Sequence, residues 1–303
     1  MSARTGTAVL TRPVVGIATD MGRVRAFNED SFLAEDPVYV VVDGMGGHDA
    51  GRRASRTAVS VMEDLVGLEL TDTAPVVAAV RRAGEAVAAI PSQDPHRPGA
   101  TISGAVRATV EGEPVWVVLN IGDARTYRTV PGGIEQVTTD HSQVQALVDS
   151  GRLTRGEARH DPRRNVVTRA LGAGLEGPAT PDLVVLAATP GDRLLICSDG
   201  LSDELDDDVL AYLLRGGRPA QRTAETLVGA ALSAGGHDNV TALVLDLPVT
   251  ADDAAAADAD GTVATGTAPE VPALEVPAPS VALESSVVLE PDDAEVGPVG
   301  PLA

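Results

Sequence analysis

Apolar positions along the chain follow two repeats, one typical of strands and one typical of helices. Short runs rich in valine, isoleucine and threonine, often bounded by glycine, predict β-strands. These runs are residues 14–19, 31–34, 38–42, 101–109, 115–121, 126–130, 182–186, 193–197 and 241–247. Apolar residues spaced three and four apart predict helices over residues 51–66, 74–90 and 220–233.

The order of these elements indicates the fold class. Several strands follow one another directly, as in residues 101–130, instead of alternating strictly with helices. That order favours an α+β fold with antiparallel sheets over a doubly wound parallel sheet. We therefore predict a central antiparallel β-sandwich flanked by helices on both sides, in four layers α-β-β-α.

Composition changes sharply after residue 247. Residues 249–303 hold eleven acidic residues and no basic residue, among repeated Pro, Ala, Val and Glu. Such a segment buries too little apolar surface to offset the entropy lost on ordering. We predict a folded domain over residues 1–248 and a disordered acidic, Pro/Ala-rich tail over 249–303.

Charge content excludes several classes of partner. The formal net charge is −21, and residues 1–248 alone hold 33 acidic against 23 basic residues. This balance offers no basic footprint for nucleic acid or for anionic lipid. The chain also has no apolar run long enough to span a bilayer and no signal-peptide pattern. We predict a cytoplasmic, monomeric protein that binds neither nucleic acid nor membrane.

The single cysteine, Cys197, excludes an intrachain disulfide and a multi-cysteine zinc site. A reducing compartment fits this content best. Cys197 ends an apolar run without the glycine loop and arginine that a cysteine phosphatase needs, so we expect a buried, inert thiol. Trp116, the only tryptophan, is expected in the core.

Four aspartates fall at the ends of predicted strands, and three of them adjoin glycine. They are Asp43, Asp123, Asp199 and Asp238. Each one alone is typical of a turn, because Asp-Gly is a common turn signal. Four such positions, in a chain without a multi-cysteine or multi-histidine set, favour an oxygen-ligand site for Mg²⁺ or Mn²⁺.

The segment GRVRAFNEDS places Arg25 shortly before two further acids, Glu29 and Asp30. The planar guanidinium of arginine matches two phosphate oxygens. A solvated surface arginine is the alternative, and it stays open here. The chain contains no lysine, so the choice of arginine carries no information by itself.

Eight motifs in order resemble the metal-dependent serine/threonine protein phosphatases of type 2C in their bacterial form. They are GRVRAFNEDS, VVDGMGGHDAG, GATISG, NIGDAR, TTDHSQVQALVDSGRLT, RNVVTRALG, LLICSDGLSD and GGHDNVTALVL. The resemblance covers about residues 14–247. It implies hydrolysis of phosphoserine and phosphothreonine on proteins, reversing a Ser/Thr kinase. The implied cofactors are two Mn²⁺ or Mg²⁺ ions, with a third in bacterial members, and the implied partners are Ser/Thr kinases and their phosphorylated substrates.

The resemblance also implies a ligand set for the two ions. Asp43 bridges both ions, and Gly44 offers its carbonyl oxygen to one of them. Asp199 and Asp238 complete the other. In such a centre the ions lower the pKa of a shared water and neutralise the phosphoryl oxygens.

Further roles follow from the same resemblance. Arg25 grips the phosphate of the substrate, and Asp123 helps to hold the third, weaker ion. Glu29 and Asp30 act through metal-bound water or by orienting ligands. Residues 141–171 form a mobile flap beside the site.

Two departures from the family pattern bear on chemistry. Some members carry a histidine, proposed as general acid, two residues after the bridging aspartate, where this chain has Met45. His48 lies nearby in the glycine-rich loop, and both a proton-transfer role and a plain surface position remain open. The motif Gly-Asp-Ser-Arg reads Gly-Asp-Ala-Arg at residues 122–125, which spares Asp123 but keeps a turn role open.

Three function hypotheses remain at this point. The first is a phosphoserine/phosphothreonine protein phosphatase. The second is another two-metal hydrolase, such as a nuclease or a phosphatase of small phosphate esters, although the acidic balance disfavours nucleic acid. The third is a non-catalytic phosphoprotein-binding pseudophosphatase, which is disfavoured because the chain retains Arg25 together with all the implied metal-binding aspartates.

Overall fold

The computed structural model describes residues 11–46, 49–92, 97–175 and 179–249. Within these ranges the strands are β1 Val14–Asp20, β2 Ser31–Glu35, β3 Val38–Val42, β4 Gly44–Met45, β5 Gly99–Ala100, β6 Ile102–Val110, β7 Glu113–Ile121, β8 Arg125–Val130, β9 Gly133–Gln136, β10 Leu171–Gly172, β11 Asp182–Ala187, β12 Arg193–Cys197 and β13 Val240–Asp246. The helices in the same ranges are α1 Ala50–Met62, α2 Ala74–Ala88, α3 Gln143–Asp149, α4 Arg155–Ala158, α5 Asp199–Ser202, α6 Asp207–Leu214 and α7 Ala220–Ala234.

The long strands form two antiparallel sheets. One has the order β1-β13-β12-β8-β9 and the other β11-β7-β6-β3-β2, while β10, β5 and β4 make a small third sheet. The pairing register shows which strand ends lie at the same edge of a sheet. Val41 of β3 pairs with Ser103 of β6, and Ile102 of β6 pairs with Ile121 of β7. The chain therefore leaves β3 and β7 at the same end of their sheet.

Alternating side chains on each strand build the layers. On β3, Val38, Val40 and Val42 pack with α1 and α2, whereas Tyr39 and Val41 face the other sheet. Strand β13 behaves in the same way between α7 and the sandwich. Both faces of the central strands are buried, which explains why their sequences are apolar throughout. The predicted α-β-β-α architecture is confirmed.

The central strands and the three long helices lie close to their predicted positions. The strand predicted over residues 101–109 is β6, Ile102–Val110, and Thr101 separates it from the short strand β5. The break falls at Thr101, whose backbone N–H donates to the carbonyl oxygen of Asp43 at 2.9 Å, so the chain passes there from the small sheet to the large one. Helix α1 ends at Met62, before a 3₁₀ turn over Glu63–Leu65.

The periodicity of the sequence did not reveal the short elements, namely β4, β5, β9, β10 and α3 to α6. Their length is too small for a repeat to show. Every helix in the described ranges is too short or too polar to cross a lipid bilayer. Residues 250–303 lie outside the described residues, so the tail beyond residue 248 stays a prediction.

Candidate active site

Two of the strand-end carboxyl groups, those of Asp43 and Asp199, lie close enough to repel each other. Asp43 directly follows β3, and Asp199 is the first residue of α5, separated from the end of β12 by Ser198. Burial, followed by repulsion from Asp199, Asp30 and Asp123, raises the pKa of Asp43 well above its ordinary value. Burial and the neighbouring carboxylates, first among them Asp123, likewise raise the pKa of Asp199.

Asp123 lies in the loop between β7 and β8 and is 7% exposed. Burial, together with repulsion from Asp140, raises its pKa to about 7. The preceding residue, Gly122, holds this loop close to the rest of the site. Its φ is +105°, and a Cβ there would lie 2.4 Å from side-chain atoms of Thr101, so glycine is required.

Asp238, just before β13, differs from the other three aspartates because both of its oxygens have donors. Arg25 Nη2 donates to Oδ2 at 2.6 Å, and the backbone N–H of Asn239 donates to Oδ1 at 2.8 Å. The hydrogen bond to Asp238 raises the pKa of Arg25. The Arg25 side chain remains 51% exposed, so its guanidinium also faces solvent.

Asp30 links the two sheets beneath the site. Its Oδ2 accepts hydrogen bonds from Ser198 Oγ at 2.8 Å and from Thr241 Oγ1 at 2.6 Å. Burial raises its pKa to about 6, although both hydrogen bonds oppose the shift. Ser198 and Thr241 were missed by sequence reasoning, because a small hydroxyl residue at a strand end has no distinguishing pattern.

Gly44 and Gly51 pack backbone against backbone beside Asp43. A Cβ on Gly44 would lie 2.2 Å from the carbonyl oxygen of Gly51, and a Cβ on Gly51 would lie 2.6 Å from that of Gly44. The first turn of α1 therefore approaches Asp43 closely. A carbonyl-ligand role for Gly44 stays a prediction.

The donor set fits a divalent cation. Three carboxylate oxygens at this end of the sandwich are buried without a hydrogen-bond partner among the described residues: Glu29 Oε1, Asp30 Oδ1 and Asp199 Oδ1. Burial also raises the pKa of Glu29. A buried carboxylate without a partner raises the free energy of the folded protein, because it has lost its hydration. Binding of a cation that prefers oxygen ligands offsets this loss.

The carboxylates are near one another without forming a finished ligand cage. Among the described residues, no group of three or more His, Cys, Asp or Glu side chains is arranged to hold a metal ion. The carboxylate of Asp238 accepts a hydrogen bond from the guanidinium of Arg25 in this arrangement. His48 lies outside the described residues, so its role stays a prediction.

A groove of about 700 Å³ lies between these acids and residues 156–165 of the predicted flap. Its lining includes Arg25, Arg159, Arg164, Asp199, His237 and Asp238. Arg159 Nη1 donates to the carbonyl oxygen of Ser202 at 3.1 Å, which ties this wall to the end of α5. The volume of this groove is much larger than a phosphate group alone occupies.

His141 begins the predicted flap, but it lies in the interior rather than on the surface. It is 9% exposed, and its Nδ1 accepts the backbone N–H of Gly122 at 3.0 Å. Its own backbone N–H donates to the carbonyl oxygen of Gly122 at 2.8 Å. The first residue of the predicted flap is therefore hydrogen-bonded to the loop that carries Asp123.

Comparison with known proteins supports a family assignment at this point. Residues 23–227 match the family model described as protein phosphatase 2C. The chain belongs to the protein phosphatase 2C family. Among curated relatives, it is 39% identical over 235 residues to the serine/threonine protein phosphatase PstP of Mycobacterium tuberculosis, covering 76% of this chain and 44% of PstP. It is 34% identical over 247 residues to the serine/threonine phosphatase stp of Listeria monocytogenes, covering 77% of this chain and 95% of that relative.

Solved structures of this family share the fold. The crystal structure of PstP/Ppp from Mycobacterium tuberculosis has a TM-score of 0.72 and 37% identity, covering 78% of this chain and 100% of that chain. The catalytic domain of PstP in complex with two manganese ions has a TM-score of 0.69 and 35% identity, with the same coverage. The chain thus spans less than half the length of full PstP but all of the crystallised phosphatase domain.

Two expectations about core residues of this phosphatase 2C domain are confirmed. Cys197 is fully buried, and burial raises the pKa of its thiol to about 12, so it is not a nucleophile at neutral pH. Trp116 is 1% exposed and packs edge-on against Tyr39 between the sheets.

Proposed function

We propose that this domain removes phosphate from phosphoserine and phosphothreonine on proteins, in a reaction that needs Mn²⁺ or Mg²⁺. The observation that carries the proposal is a cluster of buried acids at the strand ends, with unpartnered oxygens on Glu29, Asp30 and Asp199, beside one half-exposed arginine that lines a groove. Family membership and the names of the relatives support the same reaction. The partners would be phosphorylated proteins and the Ser/Thr kinases that act on them, in a monomeric, cytoplasmic enzyme.

The ion-holding residues in this proposal are Asp43, Asp199, Asp238 and the carbonyl of Gly44, with Asp123 for an auxiliary ion. When bound, the ions supply positive charge that makes a water molecule acidic and neutralises phosphoryl oxygens. The protein contributes a fixed array of oxygen ligands. The Ser198 and Thr241 hydroxyls hold Asp30 beneath that array, and Gly122 keeps the Asp123 loop close to it.

During substrate binding, the guanidinium of Arg25 would release the carboxylate of Asp238 and bind the phosphate of the substrate instead. Its guanidinium donates to Asp238, and about half of its side chain is open to the groove. A phosphate monoester offers two oxygens to the same planar donor group, which is the geometry that arginine recognises best. A cation on Asp238 would weaken that carboxylate's hold on Arg25 and leave the guanidinium free to bind phosphate.

The size of the groove favours a protein substrate over a small ester. A single phosphate group occupies only a small part of about 700 Å³, and the far wall is built from flap residues such as Arg159 and Arg164. These side chains lie where residues flanking a phosphoserine or phosphothreonine would pass.

The test compares Arg25→Ala with a matched control in the same loop, Arg23→Ala. Arg23 Nε donates to the carbonyl oxygen of Leu232 on α7, away from the acids. The substrates are a phosphothreonine peptide, p-nitrophenyl phosphate and a dinucleotide, each with manganese and with chelator. We expect manganese-dependent hydrolysis of the peptide, with KM raised about tenfold or more by Arg25→Ala and unchanged by Arg23→Ala, since a charge-assisted hydrogen bond contributes roughly 1.5–3 kcal/mol.

Other outcomes of that assay point elsewhere. Hydrolysis of the peptide in chelator would refute the metal-dependent reaction. Preference for p-nitrophenyl phosphate alone would favour a small-ester phosphatase. Tight peptide binding without turnover would indicate a pseudophosphatase.

A further inference from the structure

We propose that Asn239 is a positioning residue for Arg25, fixing the loop that presents this arginine to the substrate phosphate. The inference rests on the proposed function, because it takes phosphate binding by Arg25 as its starting point. Asn239 is not among the acids, arginine and glycine that the sequence pointed to. Its importance comes only from where its amide lies.

The side-chain amide of Asn239 uses all of its principal hydrogen-bonding groups on one loop. Nδ2 donates to the carbonyl oxygen of Met21 and to that of Phe27, both at 2.9 Å. Oδ1 accepts the backbone N–H of Glu29 at 2.8 Å. Met21 and Phe27 stand on either side of Arg25 in the chain, so a single amide group closes the loop around it.

The loop has little packing of its own. Val24 is 66% exposed and Phe27 is 53% exposed, so their side chains contribute little to the core. Asn239, in contrast, is 5% exposed and begins the approach to β13, which lies inside the sandwich. The buried amide of Asn239 therefore anchors the exposed loop around Arg25 to the sheet.

Backbone packing strengthens the same contact. A Cβ on Gly22 would lie 2.1 Å from the carbonyl oxygen of Asp238, so the loop lies directly on the chain next to Asn239. The backbone N–H of Arg23 donates to the carbonyl oxygen of Gly236 at 2.7 Å. These contacts hold the start of the loop, whereas two hydrogen bonds of Asn239 reach past Arg25 to Phe27 and Glu29.

Only asparagine satisfies this arrangement. Aspartate has the same shape, but it has no N–H to donate to two carbonyl oxygens. Alanine leaves three part-buried main-chain groups without this partner. Either change should release the loop, and a long arginine side chain on a mobile loop must then lose more conformational entropy when it binds phosphate.

The experiment compares Asn239→Asp and Asn239→Ala with Arg25→Ala and with the double variant Arg25→Ala/Asn239→Ala. We expect each Asn239 variant to raise KM for a phosphothreonine peptide about tenfold, with a smaller change in kcat. The double variant should be no worse in KM than Arg25→Ala alone, because both changes remove the same interaction. Affinity for Mn²⁺ in calorimetry should stay within about twofold of the parent.

The matched control is Asn120→Ala. Asn120 is 1% exposed, and its Nδ2 also donates to two carbonyl oxygens, those of Gly122 and Thr139, at 3.1 Å each. This variant should lower thermal stability to a similar extent while leaving KM at the parent value. Because Gly122 precedes Asp123, the comparison uses KM and not kcat. Comparison with this variant distinguishes a rise in KM caused by lower overall stability from one caused by release of the loop that carries Arg25.

Limited trypsin digestion supplies a readout independent of activity. Trypsin cleaves after arginine, and cleavage between Arg25 and Ala26 should be clearly faster in both Asn239 variants than in the parent or in Asn120→Ala. Parent KM and parent cleavage rate in a folded Asn239 variant would overturn the inference. The inference would also be overturned if the two changes multiply their effects on KM in the double variant. The same holds if lower Mn²⁺ affinity accounts for the rise in KM. If Arg25→Ala alone leaves KM unchanged, the phosphate-binding role fails instead.

Discussion

Strand β3 has an aspartate beyond each end, and the two aspartates lie in opposite surroundings. Asp36, before the strand, accepts a two-point hydrogen bond from Arg107, with Nε–Oδ1 at 2.6 Å and Nη2–Oδ2 at 2.8 Å. Asp43, after the strand, has other acids as neighbours. Burial would raise the pKa of Asp36, but the hydrogen bonds and charge of Arg107 outweigh it and lower that pKa.

The same contrast recurs across the molecule. Away from the candidate site, Asp192 is paired with Arg128 and Asp246 with Arg193. At the site, burial and mutual repulsion raise the pKa values of Asp43, Asp123 and Asp199. Of the four strand-end aspartates, Asp238 is the one that forms an ion pair with an arginine among the described residues. Arginine neutralises Asp192 and Asp246 within the fold, whereas Asp43, Asp123 and Asp199 have mainly other acids around them and are available to a cation.

Asp43→Asn should have the largest effect. We expect turnover of a phosphothreonine peptide to fall by about a thousandfold or more, because the change removes the carboxylate proposed to bind both ions. In chelator, the same variant should melt about 2–4 °C higher than the parent, since a repelling acid has been neutralised. Activity assays and thermal unfolding followed by circular dichroism check both parts. Retained turnover with normal folding would end the bridging role.

The matched change at the other end of β3 is Asp36→Asn. It should lower stability and leave turnover unchanged. Asparagine has one acceptor oxygen where aspartate has two and carries no charge. Arg107, whose side chain is 8% exposed, therefore loses one of its two hydrogen-bond acceptors on residue 36 and the negative charge beside it. We expect a loss of about 2 kcal/mol in the free energy of unfolding, measured in urea. Turnover at a temperature where the variant is folded should equal that of the parent. A loss of turnover there would mean that the two ends of the strand are not independent.

Asp123→Ala tests the auxiliary ion against a plain turn role. We expect turnover at saturating Mn²⁺ to fall about tenfold, with tight metal binding retained in calorimetry, as for a group that assists the chemical step only. Asp192→Ala is the control, because it removes an acid that is paired with Arg128. That control should lower stability without lowering turnover. If Asp123→Ala behaves like the control, Asp123 is a turn residue.

The smallest expected effect is a pH-dependent shift in melting temperature. The pKa values of Asp30 and Asp123, about 6 and about 7, lie above the unfolded value near 4. These groups therefore hold protons longer in the folded state, and stability in chelator should fall as pH rises from about 4 to about 7. Mn²⁺ should raise the melting temperature by several degrees at pH 7.5 and by little at pH 5, because protons compete for the ligands. An equal shift at both values would contradict this competition.

The amino-acid sequence by itself determined the long elements and the identity of the acids. Valine-rich runs and helical spacing located the strands and helices that carry the core, since local apolar patterns survive in any packing that buries them. Strand-end position singled out Asp43, Asp123, Asp199 and Asp238. The ordered motifs then indicated the family, which the comparisons show.

The tertiary structure decided which groups meet across the fold. Asp30 contacts Ser198 and Thr241 from distant parts of the chain, His141 is bonded to Gly122, and Asn239 holds both sides of the Arg25 loop. No local repeat encodes these contacts, because each depends on two strands from different sheets or on a loop closing over a strand end. Whether an aspartate meets an arginine, as Asp36 does, or other carboxyl groups, as Asp43 does, is likewise set by packing, and that environment fixes its pKa.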